Sequence, residues 1–161
     1  MLFRSVAELT AGNRVVLQGP GFGRRSLATN LALGIGVAVA EGYLTRSVIN
    51  GRAQESLVLT TDAGESPMLA AIAGAVNAGR TALEAVGGVG RQNGRGVITR
   101  SAATARLALS EAAAVDGFRA FAILDDGALN IRFAPAVFEL DRPALAAVLR
   151  GLFTADGAVA N

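Results

Sequence analysis

The sequence predicts an α+β fold over residues 1–161: a single domain whose antiparallel sheet, a meander plus a C-terminal hairpin, carries helices packed on one face. Three observations lead there. Asn50-Gly51 sits between two strand-like runs and signals a type I′ hairpin. Ser66-Pro67 opens a long apolar run at helical spacing. Asp125-Asp126-Gly127 marks a second hairpin. Strands and helices come in blocks, with no strand–helix–strand alternation to support a doubly wound parallel sheet.

Along the chain, Leu2, Phe3, Val6 and Leu9 recur at helical spacing, and Ala11-Gly12-Asn13 ends that short helix. Val15 to Leu17 reads as a brief strand. Gly19-Pro20-Gly21-Phe22-Gly23 then breaks regular structure. Leu31 to Ala40 alternates large and small residues. Its two glycines and its β-branched residues favour a strand with one flat face, where something packs closely. A buried, glycine-bearing helix is the alternative. Tyr43 to Ile49 and Arg52 to Thr61 flank the Asn50-Gly51 turn, and with the preceding segment they give a meander of three or four strands.

The helix that starts at Ser66 carries Leu69, Ile72, Val76, Gly79, Leu83 and Val86 on one stripe. A second stripe runs through Ala71, Ala75, Ala78, Ala82 and Ala85, and Gly87-Gly88 ends the helix. The first stripe would cover the sheet. The second would let another backbone approach closely, and these five alanines are the candidate interface. Gly90 to Gly96 is a polar loop, and Val97 to Thr99 a short strand. Ser101 is expected to cap a helix from Ala102 to about Val115, stopped by Asp116-Gly117. Phe118 to Leu124 and Leu129 to Phe133 form the C-terminal hairpin, and Val137 to Leu140 adds one strand. Asp141 caps a final helix with Leu145, Val148, Leu149 and Leu152 on its buried face. The tail from Thr154 is expected to fray.

Composition narrows function by exclusion. All fifteen basic residues are arginine, and the chain holds no lysine, histidine, cysteine or tryptophan. There is then no Schiff-base or P-loop lysine, no imidazole base for a serine, and no preferred ligand for zinc, copper or an iron–sulfur cluster. No catalytic residue, cofactor site or metal site is expected, and the chain reads as a non-enzyme. Apolar residues make up 52% and charged ones only 17%, against about a quarter in ordinary globular proteins. So little charge leaves apolar surface to be covered, and self-association covers it economically. Abundant arginine and alanine also fit a GC-rich genome, but that does not explain the low total charge. The isoelectric point of about 10.3 reflects a net charge of only +2 with nothing titrating near neutrality, so it says little about nucleic acid.

Glu8 interrupts the place where a signal peptide needs an apolar run, and Leu31 to Ala40 is half the length a membrane span requires. The expectation is a cytoplasmic protein, or part of an intracellularly assembled particle, with no membrane span.

Two arginine groups could contact phosphate. Arg24 and Arg25 follow the glycine-rich stretch, whose backbone amides can face an anion. The dinucleotide fingerprint fails because Arg24 stands where its third glycine belongs. Arg91, Arg95, Arg100 and Arg106 lie in a window free of acids between Glu84 and Glu111, but without an aromatic residue to stack a base. Turn chemistry accounts for Asp125 and Asp126; helix capping and dipole preferences account for Asp62, Glu65 and Ser66. Tyr43, the only phenol, reads as a strand packing residue with a wet tip. The leading expectation is a non-catalytic structural or assembly protein: a homo-oligomeric subunit of a shell, tube or secretion-type complex, or a chaperone-like adaptor. The alternative is an arginine-based nucleic-acid or phosphate binder using Arg24, Arg25, Arg91, Arg95 and Arg100.

Overall fold

The computed structural model describes residues 22–84, 97–124 and 131–156. The elements predicted at 2–11 and 15–17, the glycines at 19–21 and 87–88, the loop at 90–96 and the turn at 125–127 lie outside those residues. The fold is α+β. In chain order it contains α1 (Thr29–Glu41), β1 (Gly42–Ile49), β2 (Arg52–Asp62), a 3₁₀ turn (Ala63–Glu65), α2 (Ser66–Glu84), β3 (Val97–Arg100) and β4 (Thr104–Leu109). It continues through α3 (Ala112–Arg119), β5 (Ala122–Ile123), β6 (Arg132–Phe133), a second 3₁₀ turn (Pro135–Glu139) and α4 (Arg142–Asp156).

Four antiparallel strands form one sheet in the order β1-β2-β4-β3. Asn50 and Gly51 both take positive φ, 52° and 74°, which a type I′ turn demands and an Asn-Gly pair tolerates. The turn fixes an uninterrupted register from Ile49↔Arg52 to Gly42↔Leu59. Alternation then sorts the sheet faces. Leu57, Leu59 and Thr61 share one face with their partners Leu109, Leu107 and Ala105, and all six are buried. The helices pack there, joining Ile35, Val37, Leu69, Ile72 and Phe118 to the strand leucines in one core. The other face carries Tyr43, Thr45, Gln54, Ser56, Thr60 and Arg106, which are half-buried or exposed, around a buried Val58.

Residues 31–40 correct the strand expectation: they are α1. The helix buries Ala32, Gly34, Ile35, Gly36, Val37 and Ala38, which together point in nearly every direction around its axis. With no polar side, the 3.6-residue period leaves no trace, and the large/small alternation imitates a strand. The close-packing partner inferred from the glycines is present, and it is a helix. A Cβ on Gly36 would strike the Val148 carbonyl and come within 2.6 Å of the Leu152 nitrogen; one on Gly151 would strike the Leu33 carbonyl. The two backbones touch because neither residue has a side chain. The third and fourth strands of the sheet therefore come after α2, not before β1.

Further expectations are revised. Residues 104–109 are a strand rather than helix, with Ala105, Leu107 and Leu109 turned inward. Ser101 closes the β3–β4 turn: the Thr104 amide donates to its Oγ at 3.0 Å, and the Ser101 amide donates to the Thr104 carbonyl at 2.8 Å. The following helix, α3, passes through Asp116-Gly117 to bury Phe118 beside Val115. Val137 to Leu140 is no full strand: Pro135 opens a 3₁₀ turn, whose period of about three turns both Val137 and Leu140 inward. Leu140 keeps one parallel bridge, to Arg25. The C-terminal hairpin is present as β5–β6, paired Ala122↔Phe133 and Ile123↔Arg132. Asp141 caps α4 as anticipated, its Oδ1 accepting from the Ala144 amide at 3.0 Å. The buried face of α4 is built from Ala144, Ala147, Val148 and Gly151, while Leu145 and Leu152 are half-buried and Leu149 points outward. Thr154 is helical, since α4 runs to Asp156.

Candidate interaction surface

The predicted site residues fall in different parts of the fold. Arg24 and Arg25 lie on a strap that runs beside the start of α4. The Arg25 amide donates to the Glu139 carbonyl at 3.0 Å, and the Asp141 amide donates to the Arg25 carbonyl at 2.9 Å. The Arg25 guanidinium lies 4.6 Å from the centre of the Phe121 ring, a cation–π contact. Arg142 stacks on Phe22 at 5.7 Å. Both arginines are exposed, and Arg25 ties the strap to the core through its contact with the Phe121 ring. Arg91 and Arg95 lie outside the described residues. Arg100 ends β3 in register with Ala105, on the sheet rather than on the strap. Arg106 is exposed on the face of the sheet away from the helices.

On α2, Leu69, Ile72 and Ala73 face the core. Of the alanine stripe, Ala71 and Ala75 are half-buried and Ala78 is exposed, on the flank turned from the sheet. Ala82 lies within α2, and Ala85 is outside the described residues. Asp125 and Asp126 also lie outside them. Among the described residues, no group of three or more histidine, cysteine, aspartate or glutamate side chains is placed to hold a metal ion, and no helix is long and apolar enough to cross a membrane.

Two surface features were not anticipated. The first is an ion network midway along the β1–β2 hairpin. Glu55 accepts from Arg46 Nε at 3.0 Å through one oxygen and from Arg119 at 2.6 Å through the other, and Arg119 reaches Asp116 at 3.5 Å. The Arg119 bond, then the Arg46 bond, hold the Glu55 carboxyl below its ordinary value. The Arg46–Glu55 half was readable in the sequence, because the turn at Asn50-Gly51 sets those two residues opposite each other; nothing local pointed to Arg119. A second clip, Ser56 Oγ to Ser110 Oγ at 2.8 Å, ties β2 to the end of β4.

The second feature is outward-facing apolar bulk. Leu149 and Phe153, one turn apart on α4, are 41% and 66% exposed; Val48 on β1 is 74% exposed, and Phe138 is also exposed. β1 is an edge of the sheet, and among the described residues no strand pairs with its outer side. Among the described residues, the surface therefore offers apolar contacts and an open strand edge beside the ion network centred on Glu55. The chain matches no protein-family model and no curated protein.

Proposed function

We propose that this chain is a non-catalytic assembly protein, a self-associating subunit of a larger intracellular complex. The observation that carries the reading is the outward apolar bulk of Val48, Phe138, Leu149 and Phe153 on a chain with only 17% charged residues. Single exposed apolar residues are ordinary, but a sparse charge complement leaves few groups to keep such a surface solvated. The engagement of Arg25 with Phe121 supports the same reading, since it gives that arginine a structural task. The deciding experiment is solution mass by light scattering over a dilution series. A concentration-dependent oligomer is expected; a monomer at every concentration would remove the reading.

A further inference from the structure

We infer that β1 pairs edge to edge with β1 of a second copy, in antiparallel register about a two-fold axis through Thr45, joining two four-stranded sheets into one. This rests on the self-association proposed above and names its contact. The turn geometry determines which backbone groups face outward. In a type I′ turn the Ile49 carbonyl accepts from the Arg52 amide, so Ile49, Ser47, Thr45 and Tyr43 direct their backbone groups toward β2. Gly42, Leu44, Arg46 and Val48 direct theirs to the open edge. The Gly42 amide is already taken by the Ala38 carbonyl at the end of α1. The remaining outward donors belong to Leu44, Arg46 and Val48.

Among the described residues, no strand pairs with this edge, and a single charge is its only guard. β1 contains no proline or lysine, and its pairing with β2 shows no bulge. Its one charge, Arg46, selects the register. Pairing Arg46 with its own copy would set two guanidinium groups opposite each other. Centring on Leu44 would leave the groups of Val48 unmatched. Centring on Thr45 sets Leu44 opposite Arg46 and Gly42 opposite Val48, so every open donor finds a carbonyl. The stem of Arg46 then lies over Leu44 of the other copy, its charge already bonded to Glu55 at 3.0 Å. Thr45 meets its own copy at a non-hydrogen-bonded site, where paired Cα atoms are about 4.5 Å apart and a threonine pair is favourable.

The test exploits a chain with no cysteine of its own. A disulfide needs Cα atoms about 4.4–6.8 Å apart, so Thr45→Cys meets the requirement across the axis and Ser47→Cys, on the same face two residues away, does not. Under mild oxidation, T45C should form a covalent dimer roughly tenfold faster than S47C, R46C or L44C. Val48→Pro removes one outward amide and leaves pairing with β2 intact, so it should lower the solution mass about twofold with an unchanged far-ultraviolet circular dichroism spectrum. Fastest linking at position 44 or 46 would overturn the register. An oligomer that neither links selectively at Thr45 nor responds to V48P would overturn the edge contact while self-association stands. A monomer throughout would overturn both.

Discussion

Gly36 of α1 lies directly against Gly151 of α4: a Cβ on Gly36 would come within 3.0 Å of the Gly151 carbonyl carbon and closer still to the backbone on either side. The obstacle in both directions is main chain, which cannot swing aside as a side-chain tip can. Gly36→Ala and Gly151→Ala should each destabilise by about 1–3 kcal/mol, because overlap with the facing backbone outweighs the roughly 1 kcal/mol an alanine gains inside a helix. Urea unfolding followed by circular dichroism gives the values. An unchanged midpoint for both would show that the helices do not touch here.

Gly74 in α2 and Gly117 in α3 provide the contrast. A Cβ at either meets nothing within 4 Å, and neither residue has positive φ. Gly74→Ala and Gly117→Ala should therefore stabilise by about 0.5–1 kcal/mol, through helix propensity and a less disordered unfolded chain. The same unfolding measurement should move these midpoints upward and those of the Gly36 and Gly151 variants downward.

Glu55 should make stability depend on acid. Its folded carboxyl is held below the unfolded value by Arg119 and Arg46. The folded state thus favours the charged form, and the stabilisation is fully present above the unfolded pKa of about 4.5. It is lost as pH falls through the lower, folded value. Glu55→Gln should flatten the fall in melting temperature between about pH 5 and pH 3, relative to the parent chain. Parallel curves for the two proteins would show that the carboxylate gains nothing from its arginines.

Asp141→Ala should cost about 1 kcal/mol by leaving the Ala144 amide without its cap, and Asp141→Asn should recover most of that. Equal losses in the two variants would show that charge rather than the cap bond matters.

Arg25 and Arg24 should behave differently despite being neighbours. Arg25→Ala removes the stack on Phe121 and should lower stability by about 0.5–1 kcal/mol, while Arg24→Ala should leave it unchanged. Binding of a generic oligonucleotide at low salt, weakened equally by both substitutions, would instead favour a phosphate-contacting role for the pair.

How much was legible follows from how local each signal is. Asn50-Gly51 fixed a turn, the turn fixed a register, and the register placed Arg46 opposite Glu55. Asp141 announced a cap, and the cap is present. Residues 31–40 misled because a helix buried on nearly all sides presents no polar face to count against. Ser101 misled for another reason: a serine hydroxyl can bond a nearby amide in a tight turn as readily as at a helix start. The alternation Ala105, Leu107, Leu109 was visible beside it and carried the better signal. The apolar face of α4 was mistaken by about a quarter of a turn, since what points inward there is set by α1, far away in sequence. The candidate surfaces were legible only as composition: scarce charge announced something to cover, without saying where.

The α1–α4 contact also bears on how the chain reaches its native state. About a hundred residues separate the two helices, so α1 cannot bury its Gly36 face against α4 until α4 has been made. During synthesis, the most apolar helix described would emerge from the ribosome long before its partner does. A nascent chain stalled before Arg142 would leave that face open to chaperones or to other chains.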